Sequence, residues 1–256
     1  MGYNALSNPV ISSSEIILDN IETYDASMLD CYAFRRGSDV VNGHSLALGN
    51  MVSGYPFTLN GIRFENSEAA YIAGAFSNNT AQHIEIQQAL CKETNGFMAK
   101  KRIRRANEAV KRADWDEFNI QWMLYVVWCK VVGNDDFRRM LLDIPSTAVI
   151  IEDSTFQNGT TATVWGTKND CQRRLALICK RELKAVGKSK AAIDRACDQK
   201  RLNEWRTQGV FRGKNIMGKI LMLCCRCIKE GTEPAIDLAL LRSKNIHILG
   251  QRFTFN

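Results

Sequence analysis

FTLNGIRFENSEAAY, residues 57–71, is the stretch on which the fold turns. Its first half sets Phe57, Leu59, Ile62 and Phe64 on either side of Asn60-Gly61. Asn-Gly supplies the two positive-φ residues of a tight hairpin turn, so two short strands meet there. In the second half the period changes: Ser67 reads as an N-cap, Glu68 sits in the first turn, and Ala69, Ala70, Ile72 and Ala73 carry the helix on. A hairpin feeding straight into a helix predicts an α+β fold.

Downstream the chain reads as mainly helical. One helix is expected over residues 80–93, stopping at Asn95-Gly96, and a further one over the basic stretch to about Arg112. Asp114 and Glu117 have capping-box spacing. In the helix they introduce, Trp115, Phe118, Trp122, Tyr125, Val126 and Cys129 recur at helical period. Its second half, WMLYVVWCKVV (122–132), is apolar all round except for Lys130, the mark of a buried helix. Asn134 caps a short helix ending before Pro145, and TAVIIE (147–152) reads as a strand. A polar loop over 153–170 is closed by Trp165-Gly166, and two basic helices follow over 171–208, the second capped by Ser189. Gly213 and Asn215 open a last long helix through Lys229, while residues 1–30 read as an acidic, Ser-rich extension.

Composition narrows the class. With 256 residues, 45% apolar and 24% charged, the chain has the make-up of a globular protein with a sizeable core. The first residues carry neither a basic region nor a long apolar stretch, so a secretory leader is not expected. The apolar run 122–132 is too short to span a bilayer. Nine scattered cysteines, several inside apolar helical patterns, predict reduced thiols and a cytoplasmic location. The net charge of +7 is unevenly spread: residues 171–214 carry +9 and residues 100–112 (KKRIRRANEAVKR) carry +6, so the rest carries −8. Two concentrated basic segments on an otherwise acidic chain point to a polyanionic partner such as nucleic acid. The segments read equally as solvated helix faces when taken one at a time.

Candidate chemistry comes from a few residues. Glu68 begins a helix directly after the hairpin, where a carboxylate either complements the helix dipole or works in a site. Lys130, if buried, must pair with Glu68 or Glu152, snorkel out, or lose its proton easily enough to act as a nucleophile. Glu152 ends a predicted strand just before a long loop, a common place for a working carboxylate. Gly213-Lys214-Asn215 before a helix is suited to cradling a phosphate with backbone N–H groups. Trp165 either stacks on a base or sugar or anchors its own loop. Cys224 and Cys227 have C-x-x-C spacing but no second pair, and their surroundings read as a core helix. His44, His83 and His247 are isolated, and no Walker loop or GxGxxG is present. No metal and no cofactor are therefore expected.

The order of these pieces resembles the NADAR (YbiA-like) family of N-glycosidases from about Cys31 to Glu230, with one interruption. The resemblance is carried by LGNM (48–51), FTLNGIRFENSEAAY (57–71), the Trp115 helix reaching Lys130, MLLDIPSTAVIIE (140–152), Trp165-Gly166 and GKNIMGKILM (213–222). It implies a mainly helical α+β fold, a single YbiA-like domain over 31–256 with a small sheet or hairpin, and a basic helical insertion at about 167–212. It implies catalytic roles for Glu68, Lys130 and Glu152, and substrate contacts from Asn50, Trp165, Gly166 and Asn215. The chain departs from the family pattern at Ala75, where members carry a lysine, and at Ala162, where they carry an aspartate.

The activity so implied is hydrolysis of a nucleobase–sugar C–N bond. Such a reaction passes through an oxocarbenium-like state and needs a carboxylate near C1 and an acid for the leaving base. With the basic segments added, the expectation is a DNA glycosylase that excises a modified base from double-stranded DNA and leaves an abasic site, with antiviral defence as one setting. Lys100, Lys101, Arg102, Arg104, Arg105, Arg173, Arg174, Arg212 and Lys214 are the expected nucleic-acid contacts. The alternatives are removal of ADP-ribose from guanine in nucleic acid, a small-molecule glycosidase, and a binding module without activity.

Overall fold

The computed structural model describes residues 20–255. In chain order the elements begin with β1 (Glu22–Asp25), β2 (Cys31–Phe34), the short ladder β3 (Val40–Val41) with β4 (His44–Ser45), and the hairpin β5 (Phe57–Leu59) with β6 (Ile62–Phe64). Then come α1 (Ser67–Ala75), α2 (Ala81–Lys92), α3 (Gly96–Met98), a π-helical segment over Ala99–Arg104, a 3-10 turn over Glu108–Val110, α4 (Trp115–Gly133) and α5 (Asp135–Asp143). After β7 (Val149–Glu152) the chain runs through α6 (Ala162–Trp165), β8 (Lys168–Asn169), α7 (Asp170–Ala185), α8 (Lys190–Leu202), β9 (Val210–Gly213) and α9 (Ile216–Glu230). It ends with α10 (Leu238–Ser243) and the pair β10 (His247–Ile248) and β11 (Gln251–Arg252). The fold is α+β and mainly helical, with several small sheets.

The hairpin turns where Asn-Gly predicts: Asn60 and Gly61 both have positive φ, and Phe57 pairs with Phe64. The apolar sides of this hairpin seat α1, whose nine residues are all buried. The long helix α4 packs against α1 and buries Trp115, Phe118, Trp122, Val126 and Val131. One core then continues from Tyr32 to Phe255, taking in α1, α4, α9 and the aromatic pair Phe253 and Phe255. Beneath Glu152, β7 lies parallel to β2 with Phe34 opposite Glu152, and α9 packs on β7.

Local physics changes several expectations. The cap of α1 is Asn66, not Ser67: its Oδ1 accepts from the Ala69 N–H at 2.8 Å. Asn95 does not end α2 but opens α3, accepting from the Phe97 and Met98 N–H groups. The basic stretch is no single regular helix, because it widens into the π-helical segment and then tightens into the 3-10 turn. Asp114 caps nothing with its side chain; Arg112, itself buried, holds both carboxylate oxygens at 2.8 and 2.9 Å. The 153–170 loop contains α6 and β8. The 1–30 extension is also shorter than expected, since β1 pairs antiparallel with β9, opposite β8, in a three-stranded sheet. Residues 1–19 lie outside the described residues.

Between β8 and β9 the basic segment forms a helix pair, α7 and α8, with a small core of its own: Ala176, Cys179, Cys197 and Trp205. Asn169 caps α7 and Ser189 caps α8. All nine cysteines are free. Among the described residues no helix is long and apolar enough to cross a membrane.

Candidate active site

The site is built where α1, β7 and the start of α9 converge. Glu68 occupies the first turn of α1, and its N–H donates to the Asn50 carbonyl at 3.0 Å. The LGNM motif therefore holds the helix start by its backbone. The Asn50 side chain points between helices, its Nδ2 3.3 Å from Met123 Sδ and 3.4 Å from Met217 Sδ. Its Oδ1 is buried with no hydrogen-bond partner. A buried amide oxygen left unpaired is costly, so a ligand donor reaching it would be favoured.

Glu152 is held by the Gly-Lys-Asn turn. Asn215 adopts a left-handed conformation (φ 50°) at the start of α9 and is fully buried. Its Oδ1 accepts from the Glu152 N–H at 3.0 Å and its Nδ2 donates to the Ile150 carbonyl at 2.9 Å, so the side-chain amide clamps the end of β7. The Asn215 amide is thus spent on the backbone of β7 and positions Glu152. The expected phosphate cradle is not formed by this turn, because Lys214 N–H donates to the Thr163 carbonyl at 2.7 Å and Asn215 N–H to the Gly166 carbonyl at 3.3 Å. Gly166 is required for close approach: a Cβ there would lie 2.6 Å from the Glu152 carbonyl oxygen and from Ser154 Oγ. A Cβ on Gly213 would collide with the Gly166 carbonyl. The Trp-Gly and Gly-Lys-Asn motifs are therefore two backbones crossing in contact under Glu152.

Glu152 feels the charge of Glu68. Burial raises the Glu68 carboxyl above its usual range, while the positive charges of Lys100 and Arg104 pull the other way. Desolvation pushes Glu152 up to about 7, opposed by Lys100 and assisted by the negative charges of Glu68 and Asp153. Glu152 nevertheless keeps part of its surface exposed. A carboxyl that is crowded by protein yet open to water has the makings of a proton donor at neutral pH. Lys100 and Arg104 come from the π-helical segment, a type of distortion often found at functional sites.

Tyr71 completes this face. It lies one turn beyond Glu68 on α1, where residues three apart are neighbours, so helical spacing alone could have found it. Its hydroxyl is shifted upward by burial and lies within the fields of Arg104 and Glu68. Trp165, partly exposed, meets the Tyr71 ring edge-on with centroids 5.5 Å apart.

Lys130 stands apart from the pair. It is 1% exposed, as the all-apolar helix pattern requires. Among the described residues, however, no carboxylate lies within 4 Å of it, so the expected ion pair with Glu68 or Glu152 is absent. Its Nζ lies 3.4 Å from Ser67 Oγ and 3.9 Å from the centre of the Phe137 ring, with Tyr55 at 5.5 Å. Desolvation lowers its pKa to about 7. Its partner Ser67 directly precedes Glu68 in the chain, but neither Glu68 nor Glu152 is perturbed by the charge of Lys130.

The basic residues fall into two groups. Lys100, Lys101, Arg102 and Arg105 are exposed on the π-helical side, Lys101 lying over the Phe97 ring, while Arg104 is half-buried and 3.7 Å from Glu108. Arg173 and Arg174 are exposed on α7, Arg212 is exposed on β9, and Lys214 is half-buried beside the clamp. Sequence reading missed two buried charge sites: Lys219, paired with Glu22 at 2.6 Å, and Arg201, 2.7 Å from Asp39. No group of three metal-ligating residues lies together among the described residues. No family model matches the chain, and no curated protein compared with it matches.

Proposed function

We propose that this protein is an N-glycosidase that hydrolyses a nucleobase–sugar C–N bond, acting as a DNA glycosylase on a modified base. The observation that carries this reading is the desolvation of the carboxyls Glu68 and Glu152, Glu152 lying in the field of Glu68, with Lys100 opposing the shift of both and Arg104 that of Glu68. Departure of a base requires proton donation to the base and negative charge near the developing cation at C1. Glu152, with a pKa of about 7, is the proton donor. Glu68 is the charge that faces C1 or activates the water, Lys100 and Arg104 opposing the upward shift that burial gives it. Trp165 presents its ring to the extruded base, and Asn50 Oδ1 accepts a hydrogen bond from an amino group of that base. The exposed cations Lys101, Arg102 and Arg105 beside the site would carry the flanking phosphates, giving strongly salt-dependent binding. Removal of a modified base is the favoured chemistry, since excision of ordinary bases would damage the cell's own genome.

The test is abasic-site formation across ordinary and base-modified DNAs, with wild type and Glu68→Gln. Abasic sites in one modified DNA, lost in the variant, are expected. Their absence from every DNA overturns the glycosylase reading and makes ADP-ribosylated guanine the next substrate to assay.

A further inference from the structure

A cavity of about 370 Å³ opens between the α7–α8 pair and the end of β2, on the far side of β7 from the carboxylate pair. Successive strand residues point to opposite faces. Glu152 thus belongs to the candidate active site, while Asp153 is buried behind the cavity wall, 3.9 Å from Arg35 and 3.8 Å from Arg201. The walls carry four cations, Arg35, Arg36, Lys180 and Arg201, against two acids, Asp194 and Asp198. Phe156 and Trp205 supply aromatic surface, with the Arg35 guanidinium and the Lys180 ammonium each 5.1 Å from the Phe156 ring centre.

The charges are only partly matched. Arg35 and Arg36 both pair with Asp198, and Arg201 reaches Asp39. Arg201 is 95% buried, yet its Nε–H has no acceptor; the nearest carboxylate oxygen, on Asp198, is 3.9 Å away. Lys180 has no carboxylate within 4 Å among the described residues. A buried guanidinium N–H without an acceptor and an unpaired ammonium, both on a cavity wall, ask for an anionic oxygen. The volume falls in the range of roughly 300–1,000 Å³ that holds small ligands, and it cannot admit a duplex. Guanidinium planes and aromatic faces are suited to a flat heterocycle.

We infer that this cavity binds a nucleoside monophosphate unit, its phosphate on Lys180, Arg36 and Arg201 and its base against Phe156. The unit comes either as a free nucleotide or as the phosphorylated end of a nucleic-acid strand. The site uses neither Glu68 nor Glu152, so it stands whether or not the glycosidase reading does.

Calorimetric titration with adenosine monophosphate and with a short 5′-phosphorylated single strand tests it, using wild type, Lys180→Gln, Arg36→Gln and two controls. The controls are Lys184→Gln, on the same helix outside the cavity, and Glu68→Gln. Neither Lys180 nor Arg36 is deeply buried, so both variants are expected to fold. Saturable binding of at least one probe is expected, weakened about tenfold in each cavity variant and unchanged in the controls. Preference for the mononucleotide identifies a free nucleotide, and preference for the strand identifies a strand end. Absence of saturable binding of both probes, or binding indifferent to both cavity variants, overturns the proposal.

Discussion

Replacing Lys130 by methionine should make the protein more stable, and by an amount that depends on pH. The lysine is buried among Ser67, Phe137 and Tyr55 with no carboxylate partner, and desolvation lowers its pKa from 10.5 to about 7. That displacement corresponds to about 5 kcal/mol against the charged form in the folded state. Below about pH 7 the lysine is charged both folded and unfolded, and the penalty is complete. Between about 7 and 10.5 the unfolded chain holds a proton that the native state releases, so wild-type stability rises with pH. Methionine has nearly the same length, carries no charge and fills the same apolar space, at a loss of under about 1.5 kcal/mol for imperfect fit. Ser67 Oγ keeps the Asn50 carbonyl, 3.4 Å away, as a partner.

The variant should therefore gain about 3 kcal/mol at about pH 6, shrinking towards zero at about pH 10. Urea unfolding followed by tryptophan fluorescence at the two pH values measures this. A gain that is the same at both, or a loss at the lower pH, would refute the desolvation argument and imply a partner for the ammonium. The same variant decides the lysine's role in chemistry: retained base release with Lys130→Met excludes a Schiff base at this position.

Other consequences concern the carboxylates and their scaffold. Because the folded pKa of Glu152 is raised, the cost of ionising it appears as pH rises from 4.5 towards about 7 and is complete above that. As the proton donor, it should give activity that falls through about pH 7, and Lys100→Gln, which removes the opposing positive charge, should move that limb to higher pH. A pH–rate profile of the variant superimposing on wild type would contradict this. Asn215→Ala leaves the Glu152 N–H and the Ile150 carbonyl unpaired and should cost about 2–4 kcal/mol of unfolding free energy, together with most of the activity. Gly166→Ala forces a methyl to within 2.6 Å of a carbonyl and a hydroxyl oxygen, and should destabilise by about 1–3 kcal/mol in chemical denaturation.

Much of this arrangement is legible in the residues. Asn60-Gly61 fixes the hairpin through its two positive-φ residues, and the apolar stretch 122–132 marks Lys130 as a candidate buried lysine, which it is at 1% exposure. Glu152 lies within the field of Glu68. What stays hidden is what each polar group does with its hydrogen bonds. Asn215 looks like a ligand-binding residue until its amide is seen clamping β7, and Asn66 is the cap because its backbone is extended while Ser67 is already helical and turns its hydroxyl to the Asn50 carbonyl. Arg112 and Arg201 belong to basic runs that read as surface, yet both are buried, Arg112 donating to Ser77 Oγ and the Lys244 carbonyl and Arg201 lying 2.7 Å from Asp39. Period and charge counts do not reveal such pairings, since they depend on which segments meet in space.

The most direct test of the central claim is a double-mutant cycle on base release under single-turnover conditions, with Glu68→Gln, Glu152→Gln and the double variant. If the two carboxylates act as one unit, each single change should slow abasic-site formation by about a hundredfold or more, and the double variant should be no slower than the worse single. Wild-type rates in either single variant would contradict the claim.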